Sequence, residues 1–247
     1  MKAPREIPWN MRLDFTLGQR MTVVDYYFNN ASVDNNQQTF WDPNNIENLI
    51  QKVSSREPIG YLDTTAWLYQ ALDNHPIRGK SVVIIGSEQP TYECVALGYE
   101  GKPTTIEYKK INCTHPGITT YTPTEHDLLK DQVYDCCFSI SSLEHDGLGR
   151  YGDPLNPYAD IETMKRLKNL VRKDGLLFLA VPIGSDILYW NGMRQYGDIR
   201  FPLLTEGWKV IDTFGYNDGD FVKKYGKNPQ TGHWVYHQPV FVLQNVG

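Results

Sequence analysis

The amino-acid sequence predicts an α/β fold, a doubly wound sheet of seven strands behind an N-terminal helical cap. Three observations support this prediction. Short β-branched apolar runs recur from residue 82 onward, a helical pattern separates two of these runs, and the residues before position 79 show helical periodicity instead. We therefore divide the chain into a cap at residues 1–78 and an α/β domain at residues 79–247.

The cap is predicted to contain two helices. The first opens at Asp42-Pro43, where the missing N–H of proline would have had no partner. It continues with apolar residues at helical spacing: Ile46, Leu49, Ile50 and Val53. The second opens near residue 63 and stops at His75-Pro76. The turn-rich stretch Asn29–Gln38 is predicted to be a surface loop.

Seven apolar runs are predicted to be the strands of one sheet. They are Val82–Gly86, Thr104–Tyr108, Ile118–Tyr121, Asp135–Ile140, Leu176–Val181, Trp208–Phe214 and Val240–Gln244. A helix between the fourth and fifth strands is predicted to be capped by Asp160 and to stop at Gly175, with Arg172 and Lys173 in its last turn. Strands separated by helices imply right-handed crossovers and a doubly wound sheet.

The composition excludes several classes of function. The net charge is -5, whereas proteins that bind nucleic acid by neutralising phosphates are basic. The four cysteines show no paired CxxC spacing, so we expect neither a disulfide framework nor a structural zinc site. No run approaches the ~18 apolar residues that cross a bilayer. We therefore expect a soluble, cytoplasmic protein with no membrane partner, and the sequence leaves a homo-oligomer open.

Two residues at strand ends point to a nucleoside ligand. In a doubly wound sheet, ligands bind beyond the carboxyl ends of the strands, where the winding reverses. Gly86 ends the first strand and Glu107 ends the second, 21 positions later. At that spacing an acidic side chain accepts hydrogen bonds from both ribose hydroxyls of a bound nucleoside. The alternative is a plain strand that ends in an exposed glutamate.

The loop after Gly86 disfavours a dinucleotide. A pyrophosphate-binding turn needs three glycines, whereas Ser87-Glu88-Gln89 adds none and carries a negative charge. An adenosine cofactor that has no phosphate and bears a positive centre suits this acidic loop. S-adenosylmethionine is such a cofactor, whereas NAD and FAD are not.

At these residues the sequence resembles known families. The series VVIIGSEQP, TIEY, YDCCFSISSLEH and KDGLLFLAVP is similar to the class I S-adenosylmethionine-dependent methyltransferases, which share a Rossmann-like sheet with a reversed last strand. Gly86–Glu93 and Ser141–Pro157 resemble more narrowly a domain-of-unknown-function family first named from nematode proteins, which is grouped with methyltransferases. The resemblance covers about residues 60–245.

The resemblance implies S-adenosylmethionine as the cofactor. By position, Gly86 and Ser87 would contact its methionine part, Glu107 its ribose, and the segment Ile118–Asp127 its adenine, with Asp127 as a contact. Three neighbours of the strand ends complete the predicted cofactor site: Glu88, Tyr108 and Ser141.

The polar run after the fourth strand is the candidate catalytic segment. An alcohol acceptor must lose its proton during methyl transfer, and histidine is the usual general base. We predict His145 as the base, with Glu144 or Asp146 orienting its ring. The alternative is that this segment only packs or fixes the loop. These residues and Asp153 also suit Mg or Mn, but neighbouring side chains cannot all point one way, so at most two could bind one ion together. We assign no metal residues, and dependence on a metal stays open as an alternative.

The acceptor site is predicted from aromatic and polar residues near these strands. We predict six substrate-binding residues: Arg150, Tyr151, Asp153, Asp186, Trp190 and Arg194. Aromatic faces beside amides and charges suit a sugar ring. The alternative for Trp190 is a helix that packs it into the core. His233 and His237, in the long segment before the last strand, are further candidates for the base.

The sequence thus predicts an S-adenosylmethionine-dependent O-methyltransferase that acts on a carbohydrate hydroxyl, in a sugar, nucleotide sugar or glycan. Its partner is then a small-molecule or glycan substrate. One alternative is a catalytically degenerate methyltransferase fold that binds a partner. A second is an NAD-dependent enzyme, which the single-glycine loop disfavours.

Overall fold

The computed structural model describes residues 3–27, 39–227 and 234–247 of the chain. The loop predicted at Asn29–Gln38 and the base candidate His233 lie outside the described residues. The α-helices are α1 (Arg12–Phe15), α2 (Pro43–Ser54), α3 (Leu62–Asn74), α4 (Thr91–Gly98), α5 (Pro123–Asp127), α6 (Ala159–Leu170) and α7 (Arg200–Leu204). Three short 3-10 turns lie at Trp9–Met11, Leu143–His145 and Asp220–Val222.

The strands are β1 (Thr22–Tyr26), β2 (Thr39–Trp41), β3 (Ser81–Ile85), β4 (Lys102–Ile106), β5 (Ile111–Cys113), β6 (Thr119–Tyr121), β7 (Tyr134–Ile140), β8 (Val171–Ala180), β9 (Ile187–Asn191), β10 (Met193–Gln195), β11 (Trp208–Phe214), β12 (Gly226–Lys227), β13 (Trp234–Val235) and β14 (Val240–Asn245).

Seven of the strands form the main sheet, in the order β11-β14-β8-β7-β3-β4-β6. β3 pairs in parallel with both β4 and β7, and the chain then winds outward in opposite directions from this point. β14 runs antiparallel to both of its neighbours. The predicted seven-stranded, doubly wound sheet and the reversed last strand are therefore confirmed.

Alternate residues of the strands face two separate layers of apolar side chains. Val82 and Phe138 pack with the layer formed by α2, α3 and α4, whereas Val83 and Cys137 pack with the layer formed by α6 and α7. A parallel sheet buried on both faces gives the continuous apolar runs by which these strands were predicted. The carboxyl ends of β3, β4 and β7 are therefore left as one shared edge for a ligand.

The two predicted cap helices are present as α2 and α3. Asp42 caps α2, because its Oδ1 accepts the backbone N–H of Asn44 at 3.0 Å. Ile46 of α2 and Leu68 of α3 lie in the same apolar cluster as the strand residue Val82. The two parts into which the sequence was divided therefore share one core in the structure.

A small second sheet, which the sequence did not predict, lies beside the main one. β1 pairs in parallel with β9, and β10 pairs with β9 as a hairpin. The ring of Trp190 on β9 packs edge-on against Phe15, with their centroids 5.2 Å apart. The helix that was considered as the alternative for the segment around Trp190 is therefore wrong, because Ile187–Asn191 pairs with the N-terminal strand β1.

The boundaries predicted around α6 are also wrong. Asp160 lies inside the first turn, and its carboxylate accepts hydrogen bonds from Arg200 and Tyr196 rather than capping the helix. The helix ends at Leu170 because Val171 already pairs with Tyr134 as part of β8. The segment from Arg172 to Gly175 therefore belongs to an irregular stretch of the strand, where the register shifts.

No helix among the described residues is long and apolar enough to cross a membrane. All four cysteines are free, and Cys94, Cys136 and Cys137 are buried.

Candidate functional site

The ends of β3 and β4 bring Gly86, Ser87 and Glu107 together. The backbone N–H of Ser87 donates to Oε2 of Glu107 at 2.9 Å. The N–H of Gly86 donates to the carbonyl oxygen of Ile106 at 3.3 Å, which aligns the two strand ends. Residues 21 positions apart in the sequence thus lie side by side at the carboxyl edge of the sheet.

Position 86 favours glycine for two reasons, its backbone conformation and the closeness of Ser142. Its φ is +70°, which favours glycine. A Cβ at this position would lie 2.1 Å from Oγ of Ser142, in the loop that follows β7. The backbone of the loop after β3 therefore packs directly against the loop after β7.

The acidic side chains near this edge differ in exposure. Burial raises the pKa of Glu107, whose Oε1 also accepts the N–H of Lys109 at 3.3 Å. Glu88 is exposed in the loop after β3, and Tyr108 is 77% exposed just beyond Glu107. Asp127 is exposed at the end of α5, which follows the edge strand β6.

Glu93 on α4 links the ends of β3 and β4 by hydrogen bonds, and it was not predicted as a site residue. Its Oε1 accepts from Oγ1 of Thr105 at 2.6 Å, and its Oε2 accepts from Oγ of Ser87 at 3.1 Å. Burial raises the pKa of Glu93 to about 7. The signal in the sequence was a single carboxylate in the otherwise apolar helix α4, since such a residue needs buried partners.

Glu144 is almost completely buried in the turn after β7. Its side chain is 1% exposed, and Oε1 accepts from Oγ of Ser141 at 2.8 Å. Within the described residues, Oε2 has no hydrogen-bond partner. Burial raises the pKa of Glu144 to about 7.

His145 is oriented by the hairpin of β9 and β10. Its Nδ1–H donates to the carbonyl oxygen of Gly192 at 2.7 Å, so Nε2 is the unprotonated nitrogen of the neutral ring. Nε2 lies 3.7 Å from Oε1 of Glu144. Burial, and then the charge of Arg150, lower the pKa of His145 to about 4, so the ring is neutral at pH 7.

Asp146 points away from His145. Its Oδ2 accepts from Oγ1 of Thr163 on α6 at 2.8 Å, and burial raises its pKa to about 6. Three consecutive acidic or imidazole side chains thus bind three different partners. In the part of the chain that the structure describes, no group of three His, Cys, Asp or Glu side chains is arranged to hold a metal ion.

Arg150, Tyr151 and Asp153 lie in the same loop. The guanidinium of Arg150 lies 5.0 Å from the ring centroid of Tyr151 and donates to the carbonyl of Gly192 at 3.2 Å. The Tyr151 ring meets His145 edge-on, with their centroids 5.7 Å apart. Asp153 accepts the N–H groups of Gly149 and Tyr151 and so holds the loop.

Three predicted substrate residues are engaged inside the protein. Asp186 accepts the backbone N–H groups of residues 197, 199 and 200. Trp190 is 3% exposed, and Arg194 is fully buried and donates to the carbonyl of Asp146 at 2.5 Å. The structure therefore favours the alternative in which Trp190 packs in the core. Stacking on a sugar would require its ring to leave the core.

His237 lies further along the same edge of the sheet. The N–H of Ile183, just beyond β8, donates to its carbonyl at 2.9 Å. Its Nε2 lies 3.0 Å from Oδ2 of the buried Asp220. The two base candidates belong to different clusters, since His145 binds Gly192 whereas His237 binds Asp220.

Comparisons with known proteins agree with this architecture. Residues 79–245 match the profile of a family described as Caenorhabditis protein of unknown function, DUF268. No curated protein matches the sequence.

Solved structures of other proteins are similar in fold. TehB from Haemophilus influenzae is 11% identical, with a TM-score of 0.50, and the match covers 80% of this chain and 67% of that one. The 1,6-didemethyltoxoflavin-N1-methyltransferase from Burkholderia thailandensis, solved with 1,6-didemethyltoxoflavin and S-adenosylhomocysteine, is 15% identical, with a TM-score of 0.50 and coverages of 82% and 87%. At these identities the likeness establishes the fold alone.

Proposed function

The chain belongs to the family described as Caenorhabditis protein of unknown function, DUF268, and because it shares its fold with a methyltransferase, we propose that it transfers a methyl group from S-adenosylmethionine. The observation that carries the proposal is the pairing of Ser87 with Glu107 at the strand ends. This pairing holds a carboxylate beside a glycine turn at the switch point of the sheet, where an adenosyl group binds in this fold class.

The residues at this edge fit the parts of S-adenosylmethionine. Glu107 offers carboxylate oxygens to ribose hydroxyls, and Gly86 has no side chain to keep the methionine part away from the backbone. Tyr108 presents an exposed ring, which suits the adenine. Ser141 holds Glu144, whose Oε2 has no partner among the described residues and so fits a ligand that is a donor or a cation.

We further propose an oxygen acceptor, in a carbohydrate hydroxyl. Bound S-adenosylmethionine supplies an electrophilic methyl group on a positively charged sulfur. His145 takes the hydroxyl proton at Nε2, since Nδ1–H is committed to Gly192. Arg150 and Tyr151 provide the polar and aromatic contacts for a sugar beside this nitrogen. A single glycine in the cofactor loop favours the second candidate, a degenerate fold that binds a partner without catalysis.

Calorimetry with S-adenosylmethionine tests the donor site. We expect the wild-type protein to bind it and Glu107→Ala to bind about 10- to 100-fold more weakly, because charge-assisted hydrogen bonds to the ribose are lost. Glu206→Gln is the matched control, since this exposed side chain precedes β11 at the opposite edge of the sheet. Absence of binding to the wild type at millimolar ligand rejects the proposal.

A screen of sugars and nucleotide sugars, read by release of S-adenosylhomocysteine, tests the acceptor. Turnover with one of them supports the carbohydrate proposal. Cofactor binding without turnover on any acceptor favours the degenerate binding protein instead.

A further inference from the structure

Glu144 lies directly beside the proposed cofactor loop. It belongs to the 3-10 turn Leu143–His145, which follows β7, and β7 is the parallel neighbour of β3. Ser142, the residue before this turn, approaches Gly86 so closely that no Cβ fits between them. A group bound against the backbone of Gly86 therefore lies next to this turn.

Only one of the two carboxylate oxygens of Glu144 accepts a hydrogen bond among the described residues. Oε1 accepts from Ser141, whereas Oε2 is buried without a hydrogen-bond donor in the described part of the chain. An ionised carboxylate in this situation is destabilised, because burial removes water without replacing it. A cation placed at Oε2 would remove this cost.

The surroundings of Glu144 suit a cation that carries methyl or methylene groups. The ring of Tyr151 lies close to this carboxylate, since its centroid is 5.7 Å from that of His145, whose Nε2 lies 3.7 Å from Oε1 of Glu144. The faces of tyrosine rings attract such cations. The opposing charge is Arg150, whose guanidinium is engaged with Gly192 and the ring of Tyr151.

Other charged groups complete this environment. His145 is neutral at pH 7 and so does not neutralise Glu144, and the negative charge of Asp146 adds to that of Glu144. Glu88 adds negative charge from the loop after β3, since it raises the pKa of Tyr151 as Glu144 does. The local balance therefore favours a positively charged ligand over a neutral one.

We propose that Glu144, with the ring of Tyr151, recognises the sulfonium charge of S-adenosylmethionine and makes the protein bind this cofactor more tightly than S-adenosylhomocysteine. The inference rests on the proposed function. The two compounds share their adenosyl, carboxylate and ammonium groups and differ only at sulfur, which is charged in the donor and neutral in the product. Such a preference favours release of the product after the methyl group has left.

The test is calorimetry at pH 8 on the full chain with three compounds: S-adenosylmethionine, S-adenosylhomocysteine and sinefungin, an analogue in which a carbon that bears an amino group replaces the methylated sulfur. We expect the wild type to bind both cations about tenfold more tightly than S-adenosylhomocysteine. Glu144→Gln should reduce this ratio to within about threefold, chiefly by weakening the two cations. Glu206→Gln, with the same change of charge at a distant exposed site, should keep the wild-type ratio.

Several results would overturn the inference. Equal wild-type affinity for the three compounds rejects it while the proposed function stands, whereas no binding of any of them rejects the proposed function itself. A uniform loss in Glu144→Gln shows that the carboxylate contacts a group the compounds share, which also contradicts it. If Glu144→Gln does not fold, the wild-type ratio and the variant Tyr151→Leu decide, since loss of the ring should lower the preference for the cations.

Discussion

The Nδ1–H of His145 donates to the carbonyl oxygen of Gly192 at 2.7 Å. This bond joins the loop after β7 to the hairpin of β9 and β10. The neighbouring guanidinium of Arg194 donates to the carbonyl of Asp146 and fixes the same loop from the other side. The proposed base is thus held in place by a small sheet that also contains the N-terminal strand β1.

His145 is expected to act as a neutral base throughout the physiological range. Because its pKa is lowered to about 4, a rise in kcat/KM from histidine deprotonation should occur near pH 4 and not near 6.5. Replacing the ring by His145→Ala should lower turnover by about 10²- to 10⁴-fold. The measurement is the pH profile of methyl transfer on an acceptor found in the screen.

The matched variant for this prediction is His237→Ala, which removes a histidine from the separate cluster with Asp220. Cofactor affinity should stay within about twofold of wild type in both variants, as expected for a residue that contacts only the acceptor. If His237→Ala loses turnover and His145→Ala does not, the base is assigned to the wrong histidine.

Gly86→Ala should weaken both folding and cofactor binding. Alanine at φ +70° is strained, and its Cβ would also collide with Oγ of Ser142 at 2.1 Å. We expect a loss of roughly 2–4 kcal/mol in the free energy of unfolding, measured with urea. Calorimetry should show weaker binding of S-adenosylmethionine, because the two loops are pushed apart.

Gly79→Ala separates the two causes. Gly79 has a φ of +72°, and a Cβ there meets nothing within 4 Å, so this variant carries only the backbone strain, about 1 kcal/mol. In the double variant Gly86→Ala/Ser142→Gly the colliding hydroxyl is gone, and stability should recover to the level of Gly79→Ala. If Gly86→Ala is no less stable than Gly79→Ala, contact with Ser142 does not matter.

The central strands β3, β7 and β8 could be predicted because burial on both faces makes them largely apolar. Gly86 and Glu107 could in turn be predicted from the sequence to lie at neighbouring strand ends. The β9–β10 hairpin was not readable, since its pairing with β1 joins segments more than 160 residues apart, a contact that no local pattern encodes.

The candidate site shows the same limit. The polar run from Glu144 to Asp153 was found because it is dense and glycine-rich, but the direction of each side chain depends on distant partners. Asp146 is turned toward Thr163 on α6, and Asp153 binds backbone N–H groups of its own loop. Spacing along the chain therefore located the loop but did not separate the side chains that hold it from those that face a ligand.

Glu93 should make the protein less stable as the pH rises. Burial raises its pKa to about 7 in the folded state, above the value of about 4.5 for an unfolded glutamate, so the folded state binds the proton more tightly. The stabilising contribution is therefore complete below about pH 4.5 and is lost as the pH rises to 7. We expect the wild type to lose roughly 3 kcal/mol more than Glu93→Gln between pH 4.5 and pH 8, measured by urea unfolding.

Glutamine has nearly the shape of the protonated acid, so Glu93→Gln should match the wild type in stability near pH 4.5 and exceed it at pH 8. Other groups that titrate in this range, such as Glu144, contribute equally to both proteins and cancel in the difference. If the free energy of unfolding changes with pH in the same way for both proteins, burial does not raise the pKa of Glu93 and the prediction is wrong.

Removing one partner of the buried ion pair between Asp160 and Arg200 should strongly destabilise the fold. Their side chains are fully buried, with Oδ1 and Nη2 2.6 Å apart, and Arg194 lies 3.8 Å from the same carboxylate. Burial alone would raise the pKa of Asp160, but the charges of Arg194 and Arg200 and the hydrogen bonds from Arg200 and Tyr196 keep it below its usual value. Asp160→Asn leaves two buried cations without an anion, so we expect a loss of about 3–5 kcal/mol in the free energy of unfolding. Asp218→Asn, at an exposed position, should change it by less than about 0.5 kcal/mol.

The same substitution should also loosen the loop that contains His145. Because Arg194 and Arg200 also bind the carbonyls of Asp146 and Pro157, a folded Asp160→Asn protein should show faster amide hydrogen exchange at residues 146–157. Wild-type stability and exchange in this variant would mean that the arginines find other partners and that the pair does not position the loop.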